Sequence, residues 1–202
     1  MSTREGVAGR VAIALPDPPL RDGSLRLRPP VASDAEPVYE ACRDPQILRY
    51  TRIPRDYDRV DARAFVAGAE ARRRAGISLE LIATDRADGA LCGVVGIVVD
   101  RHDQARAEIG YWTHPHHRGR GIARGSLVLL SRWALGAGGF VRLDLTASVE
   151  NHASLAVVRD TGFVREGTAR GAWPTPEGRE DMAVFSLLAR EPAVAPAAGH
   201  ET

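Results

Sequence analysis

The chain has 202 residues, and its 27 basic and 26 acidic residues leave a formal net charge of +1. Its hydrophobic content of 44% is enough for an ordinary core in one domain and argues against wholesale disorder. The near-neutral charge offers no global field for nucleic acid or for an anionic membrane, so neither is expected as a partner. All the basic residues are Arg, and without Lys the chain cannot form a phosphate loop of the G-x-x-x-x-G-K-[ST] type.

Cysteine usage and hydropathy predict the compartment. Cys42 and Cys92 lie far apart without C-x-x-C spacing, which is typical of buried thiols in a reducing compartment. No stretch approaches the roughly 20 apolar residues of a membrane span, and prolines interrupt the N-terminal segment where a signal peptide would lie. We therefore expect a cytoplasmic protein that does not associate with membranes.

The first predicted elements are a short strand and two helices. Leu25 and Leu27 alternate with Arg in a strand that ends at the proline pair after it. Ser33 stands three residues before Glu36, a capping-box spacing that predicts the start of a helix. A linker over residues 44–57 follows. A second helix is expected from Asp58 to about Arg74, closed by the glycine at position 76.

Strands and helices then alternate to the end of the chain. The Asp88–Gly89 pair is a hairpin signal, and the short connections predict that the next three strands are antiparallel neighbours. The predicted elements are strands at 79–84, 91–99 and 107–112, a helix at 121–135, a strand at 141–147, a helix at 151–162, and strands at 163–167 and 182–188. This order predicts an α/β (α+β) fold, a single three-layer domain with a mixed, mostly antiparallel central sheet and helices on both faces.

The segment from Ala107 to Leu130 is the most informative part of the sequence. A strand that ends at Thr113 is followed by a turn and by a glycine-containing run, Arg118–Ala123, that opens a helix. Glycine allows close backbone approach, and the first N–H groups of a helix lack internal partners at the positive end of the helix dipole. The sequence therefore predicts an anion site suited to a pyrophosphate, to which the arginines at 118 and 120 add charge.

From the residues alone, this loop is compatible with a solvated turn, a dinucleotide site or an acyl-coenzyme A site. Gly119, Gly121 and Gly125 form G-x-G-x-x-x-G, yet this motif follows antiparallel strands and Asp144 lies inside its strand, which argues against a dinucleotide site. The histidines of the loop are too close in sequence to converge on one ion, so no metal is expected. They are His114, His116 and His117.

Several ordered motifs resemble the Gcn5-related N-acetyltransferase (GNAT) superfamily. The run A-E-I-G-Y-W followed by R-x-x-G-x-A at Arg118–Ala123 is similar to its coenzyme-binding motif. The later N-x-x-S-x-x-V from Asn151 and the closing Gly162–Phe163 continue the match. Asp44–Pro45 and the Gly-Arg-x-Asp-Met run from Gly178 resemble its ribosomal-protein alanine N-acetyltransferase (RimJ/RimL-like) branch.

The resemblance covers roughly residues 24–189 and implies a GNAT-type domain at 21–190. A flexible N-terminal segment at 1–20 and a disordered C-terminal tail at 191–202 would flank it. The resemblance implies acetyl-CoA as co-substrate, with its pantetheine arm along the strand end, its pyrophosphate on the loop amides and an oxyanion donor near Trp112. The implied coenzyme-binding residues are Tyr111, Trp112, Thr113, Arg118, Gly119, Arg120, Gly121, Ile122, Ala123, Asn151 and Ser154.

Two side chains are candidate catalytic groups. An amine is protonated at neutral pH, so a base must remove a proton before the nitrogen attacks a thioester. Glu108 lies where some family members place a catalytic Glu, although it could instead pair with Arg106. Ser154 matches the serine of the RimJ/RimL-like branch and would contact the sulfur, although it could instead bond its own helix backbone. Val158 stands where many superfamily members carry a Tyr.

The acceptor groove implied by the fold consists of residues 44–58 and 168–180. The first of these segments is richer in Arg than in acidic residues, which argues mildly against a polycationic acceptor such as an aminoglycoside. Branch resemblance favours a protein N-terminal α-amine. The alternatives are a small-molecule amine (an antibiotic, a polyamine or an amino acid) and a non-catalytic acyl-CoA-binding module. Family members are often monomers or homodimers, and we expect one of these states.

Overall fold

A computed structural model describes residues 10–176 and 178–190 of the chain. Its strands are β1 (Arg21–Asp22), β2 (Leu25–Arg28), β3 (Ser78–Asp85), β4 (Leu91–Val99), β5 (Arg106–Thr113), β6 (Arg142–Ser148), β7 (Val164–Thr175) and β8 (Gly178–Leu188). Its α-helices are α1 (Ala35–Cys42), α2 (Pro45–Tyr50), α3 (Arg59–Arg74), α4 (Ile122–Leu135) and α5 (His152–Arg159). Short 3-10 helices occupy Ala32–Asp34 and Pro115–His117.

The strands form one sheet in the order β1-β2-β3-β4-β5-β6-β8-β7. Neighbouring strands are antiparallel except for the parallel pair β5 and β6. Helices α1 and α3 cover one face of the sheet, and α4 packs on β4 and β5. The three-layer fold predicted from the sequence is therefore confirmed.

Side-chain alternation along β5 divides the core into two parts. Ala107 and Ile109 join the large cluster that contains the buried leucines of α4. Trp112 packs instead against the smaller cluster under α1 and α3. Because successive side chains of a strand point to opposite faces, Glu108 lies on the face of Trp112, and Tyr111 lies on the face of Ile109. This division decides which groups can meet at the site.

The parallel pairing of β5 and β6 is short. Only Arg106, Ala107 and Glu108 on β5 are in register with β6, opposite residues 142–144. Beyond that point β5 continues to Thr113 beside β4, and β6 continues to Ser148 beside β8. The two strands therefore diverge and leave a gap in the middle of the sheet. In the chain, α4 is the helix that connects β5 to β6.

The start of α1 differs from the prediction. A 3-10 helix precedes α1, and Asp34 lies at the junction, where its carboxylate accepts a hydrogen bond from the Val31 amide at 2.7 Å and pairs with Arg28 at 2.7 Å. The expected capping box of Ser33 and Glu36 does not form, since Glu36 is held by Arg59. The buried Asp34 carboxylate thus provides a local cap in place of Ser33 and Glu36, and it binds the Arg28 guanidinium as well.

Three further segments differ from the sequence-based prediction. The linker at 44–57 contains α2, which Asp44 caps by accepting from the amides of residues 46 and 47. Residues 10–20, assigned to a flexible segment, include the buried Ile13, whose amide donates to the Arg73 carbonyl at 3.1 Å. The last strands extend toward each other as a long hairpin, with Trp173 opposite Glu180. Residues 1–9 and the predicted tail at 191–202 lie outside the described residues.

Strand β1 was not predicted, and α5 ends at Arg159, three residues before the predicted end. The other predicted elements are confirmed within a residue or two. Helix α3 has the capping box of Asp58 and Asp61, and α4 begins directly after Gly121. Within the described ranges, no helix has both the length and the apolar content that a membrane crossing requires.

We expect burial of the apolar side chains of the sheet to make the largest contribution to the free energy of unfolding. Leu81 on β3 is 1% exposed in the large core, whereas Val60 on α3 is 61% exposed. We expect Leu81→Ala to lower the free energy of unfolding by about 2–5 kcal/mol, because it removes buried methyl groups and leaves a cavity. Val60→Ala should change it by less than about 0.5 kcal/mol. Urea unfolding of both variants tests this, and equal midpoints would contradict it.

Candidate active site

A cavity of about 770 Å³ occupies the gap between β5 and β6. It extends from the N-terminus of α4 and from α5, on one side of the sheet, to the face under α1 and α3. The lining residues on the two diverging strands are Glu108, Ile109, Gly110, Tyr111, Trp112 and Thr113 of β5 and Leu145, Thr146 and Ala147 of β6. The gap is thus a continuous space that reaches both faces of the sheet.

The loop before α4 presents bare backbone to this cavity. Gly119 and Gly121 have φ angles of +73° and +74°, which L side chains rarely adopt, and a Cβ on either would meet no atom within 4 Å. Among the described residues, no side chain caps the N-terminus of α4 at Gly121. The first amides of the helix are therefore open to the cavity at the positive end of the helix dipole, as an anion site requires.

The two arginines of this loop are held by carboxylates. Arg118 lines the cavity and pairs with Asp44 at 2.5 Å. Arg120 points away from the cavity and pairs with Asp85 at 3.1 Å. Of the predicted coenzyme-binding residues, Arg120 is the one that does not line the cavity. A carboxylate outside the cavity holds its guanidinium, so the predicted coenzyme contact of this residue is through its backbone amide. Arg124, in the first turn of α4, also lines the cavity, so the candidate anion site combines backbone amides with an arginine that the sequence analysis did not single out.

Helix α2 lies along the cavity and is fixed by three ion pairs. Asp44 at its start binds Arg118 of the anion loop. Arg49 pairs with Glu180 of β8 at 2.5 Å, and Arg52 just after the helix pairs with Glu108 of β5 at 2.9 Å. The same short segment therefore contacts the anion loop, the last strand and the candidate base.

The backbone of β5 alternates between β4 and the gap. The Arg106 carbonyl accepts from the Asp100 amide, and the His114 amide donates to the Cys92 carbonyl, so the backbone N–H and C=O groups of even-numbered residues point toward β4. The Ala105 carbonyl accepts from the amide of Val141, the residue before β6. By this alternation the amides of Tyr111 and Thr113 face the gap, and that of Trp112 does not. An oxyanion donor would come from the neighbours of Trp112 and not from Trp112 itself.

Glu108 lies at the point where the strands diverge, on the face of α1 and α3. Its carboxylate accepts from Arg52 at 2.9 and 3.0 Å and from the Thr146 hydroxyl at 3.3 Å. The alternative partner named from the sequence, Arg106, binds Asp144 instead. The side chain of Glu108 is 36% exposed and lines the cavity. It can reach a ligand once Arg52 is displaced.

Ser154 lies on the opposite face, in the first turn of α5. Asn151 caps this helix, since its side-chain oxygen accepts from the Ser154 amide at 3.1 Å. The Ser154 hydroxyl lies 2.9 Å from the Tyr111 hydroxyl and so does not take the local backbone bond that was its alternative. Asn151, Ser154 and Tyr111 all line the cavity.

The cavity also contains residues that sequence reasoning missed. Cys42 lines it under α1, beside Tyr57 of the predicted acceptor segment, and burial raises the pKa of the Cys42 thiol to about 12. A thiol with that pKa is not a nucleophile at neutral pH. Arg52 was noted only as part of an arginine-rich linker, and no local pattern could pair it with Glu108. The Tyr111 side chain could have been found, because strand alternation directs it toward α5.

The loop histidines have local roles. The His114 ring accepts from the His116 amide at 3.3 Å, and burial lowers the pKa of His114. The His117 ring lies 2.9 Å from the Arg120 guanidinium. Among the described residues, no group of His, Cys, Asp or Glu is arranged to hold a metal ion.

Comparison with known proteins assigns the family. The family described as Acetyltransferase (GNAT) domain matches residues 24–164. The putative ribosomal N-acetyltransferase YdaF of Bacillus subtilis (strain 168) is 34% identical over 104 residues, which are 52% of this chain and 57% of that protein. The uncharacterized N-acetyltransferase p20 of Bacillus licheniformis is 26% identical over 168 residues, 83% of this chain and 94% of that protein.

Solved structures share the fold. RimL, the ribosomal L7/L12 α-N-protein acetyltransferase in complex with coenzyme A, superposes with a TM-score of 0.75 at 21% identity, over 83% of this chain and 95% of that one. RimJ of Mycobacterium smegmatis in complex with CoA-disulfide gives 0.74 at 24% identity, over 85% and 86%. At these identities the likeness shows the fold. Because the family match extends over residues 24–164, the chain belongs to the acetyltransferase (GNAT) family.

Proposed function

We propose that this protein transfers the acetyl group of acetyl-CoA to the α-amine at the N-terminus of a protein. The observation that carries the proposal is the exposure of the acceptor side of the cavity at Glu108, Arg52 and Trp173, a part of the lining that we call the trench. The Glu108 side chain is 36% exposed and the Arg52 side chain above it is 65% exposed. An open trench accommodates an amine that continues into a polypeptide, whereas a small amine is usually enclosed.

The coenzyme half of the proposal rests on the gap and on the start of α4. In the proposed complex the diphosphate lies on the amides of residues 118–123, of which Ile122 and Ala123 are the first two of helix α4. The pantetheine arm lies beside β5, where the Tyr111 and Thr113 amides lack a strand neighbour. This is strand addition by a ligand, and it directs the thioester toward the point where β5 leaves β6.

The acyl transfer needs a base, a donor for the oxyanion and a donor for the sulfur. Glu108 takes a proton from the acceptor ammonium, and the neutral nitrogen attacks the acetyl carbon. A β5 amide that faces the gap stabilises the oxyanion. As the carbon–sulfur bond breaks, its electron pair moves to sulfur, to which the Ser154 hydroxyl donates a hydrogen bond. The nitrogen loses its second proton to solvent, and solvent protonates the released thiolate. With Cys42 held as a neutral thiol, the transfer is direct and forms no acetyl-enzyme.

The Glu108 carboxylate makes the acceptor site selective for a cation, and Arg52 is the cation that it binds in the free protein. Its guanidinium occupies the Glu108 carboxylate in the free protein, and it also lies 5.9 Å from the centre of the Trp173 ring. An incoming ammonium group replaces that guanidinium at Glu108. Exposed ion pairs of this kind contribute only about 0–1 kcal/mol, so the exchange costs little.

The names of the relatives support a protein acceptor. YdaF is a putative ribosomal N-acetyltransferase, and RimL acts on the N-terminus of ribosomal L7/L12. Both cysteines are free and buried, in keeping with a reducing compartment, and we place the protein in the cytoplasm. We expect a monomer or a homodimer, which light scattering distinguishes.

A small-molecule amine is the second candidate. The self-immunity acetyltransferase MccE, in complex with acetyl-CoA and AMP, shares the fold with a TM-score of 0.74 at 21% identity. The cavity of this chain also has an apolar part beside the trench, with Cys42, Tyr57 and Phe65 in its lining. That part suits a compact acceptor with an apolar substituent.

An acceptor screen separates the two candidates. Thiol release from acetyl-CoA is measured with peptides that have a free N-terminus, the same peptides with a blocked N-terminus, and a panel of small amines. We expect release with free N-termini and none after blocking, because the trench presents the α-amine to Glu108. Release with small amines alone would contradict a protein acceptor, and the absence of release with every acceptor in the screen would indicate a non-catalytic acyl-CoA-binding module.

The anion loop can be tested by adding one side chain. Gly121→Leu places a side chain in the open space above the first amides of α4. We expect acetyl-CoA affinity, measured by calorimetry, to fall on the order of a hundredfold, because the diphosphate loses several charge-assisted hydrogen bonds.

Gly139→Leu is the matched control for backbone strain. Gly139 has a φ of +76° and open space around it but lies after α4, away from the cavity. The control should bind acetyl-CoA as the unmodified protein does. Undiminished affinity of Gly121→Leu would contradict the placement of the diphosphate.

The base can be tested by neutralising one carboxylate. Glu108→Gln keeps the shape of the side chain but cannot take a proton, so kcat should fall by about a hundredfold or more with little change in KM for acetyl-CoA. Glu36→Gln removes another carboxylate paired with an arginine, on α1 outside the cavity, and should leave kcat unchanged. Equal kcat values for the two variants would exclude Glu108 as the base.

A further inference from the structure

A hydrogen bond crosses the coenzyme side of the gap and joins β5 to α5. The Tyr111 hydroxyl lies 2.9 Å from the Ser154 hydroxyl and 3.5 Å from the Ser154 carbonyl oxygen. Both hydrogen-bond partners that the structure gives to this phenol therefore belong to one residue. The Tyr111 ring packs against the large core, which fixes the position of its hydroxyl.

Ser154 needs such a partner to present its proton in one direction. A serine hydroxyl rotates freely and has one proton and two acceptor lone pairs. In the first turn of a helix it readily turns to nearby backbone groups. Asn151 fixes the Ser154 amide at 3.1 Å, but this contact does not orient the side-chain hydroxyl.

The 2.9 Å distance is compatible with either hydroxyl as the donor, and the two directions have different consequences for the serine proton. If the phenol donates to the serine oxygen, the serine proton is left to point into the cavity that both residues line. If the serine donates instead, its proton is used and none remains for a ligand. Burial raises the pKa of Tyr111, so the phenol keeps its proton at neutral pH and can act as the donor.

We propose that Tyr111 is a positioning residue, whose hydroxyl donates to Ser154 and thereby directs the serine proton toward the leaving sulfur. This inference rests on the proposed acetyl transfer and adds a role for a side chain that was expected to serve only through its backbone. No covalent bond to Tyr111 or Ser154 forms or breaks, and the two hydroxyls stabilise the negative charge that develops on sulfur. The phenol takes no part in placing the acceptor, since it lies on the other face of β5 from Glu108.

A double-mutant cycle tests the inference in the full-length protein. Tyr111→Phe removes one hydroxyl and keeps the ring, and Ser154→Ala removes the other. Each should lower kcat by about tenfold, while KM for acetyl-CoA changes by less than about twofold, because the lost hydrogen bond acts mainly in the transition state. In the double variant kcat should equal that of Ser154→Ala alone, because the phenol acts only through the serine.

Tyr39→Phe is the matched control, since Tyr39 is half-buried against the smaller core and does not line the cavity. It should leave kcat unchanged, and thermal unfolding of all four variants shows whether they remain folded. A purely structural role for Tyr111 predicts loss of stability, a raised KM and an effect that persists on the Ser154→Ala background.

Three results would overturn the inference. The first is a kcat of Tyr111→Phe equal to that of the unmodified protein. The second is a double variant whose loss is the product of the two single losses. The third is a shift in KM without a change in kcat. If the unmodified protein released no thiol with any acceptor, the proposed function would fail first, a result distinct from these three.

Discussion

The early divergence of β5 from β6 is the constraint on which the rest of the site depends. Once the strands part after Glu108, backbone groups on the inner edge of β5 have no neighbouring strand, although buried amides and carbonyls require partners. An extended ligand can supply them. The chain that leaves β5 returns through the glycine loop into α4, so the bare start of that helix lies at the same opening. The divergence of the two strands thus creates both the cavity and the candidate anion site.

Electrostatics in this protein is local. The chain is close to neutral, and two arginines of the cavity lining are bound by carboxylates: Arg118 by Asp44, and Arg52 by Glu108. The positive potential at the proposed diphosphate site therefore comes chiefly from the uncapped backbone amides at the start of α4 and from Arg124, which lines the cavity in the first turn of that helix. Because Asp44 also caps α2, the anion loop and the acceptor side share a helix. A ligand that competes for Arg118 would act on the segment that carries Arg52.

The pleat of β5 separates the two chemical tasks. Glu108 lies on the face of α1 and α3, and Tyr111 with Ser154 lies on the face of α4 and α5. A thioester in the gap between the strands would lie between them. The acceptor then approaches from the side that carries the base, and the sulfur leaves on the side that carries the hydroxyls. This separation prevents the base and the sulfur donor from neutralising each other directly.

The family and the order of all strands and α-helices except β1 and α2 could be predicted from the chain alone, because these depend on local signals. Alternation, glycines at positive φ and helix caps act within a few residues, and α3, β4 and α4 could be predicted for that reason. Only the tertiary structure decided which partner each charged or polar side chain has. Arg52 binds Glu108 across 56 positions, Tyr111 binds Ser154 across 43, and Arg120 turns from the cavity to Asp85. Such pairs form only when packing brings distant segments together, and no periodicity in the chain encodes them.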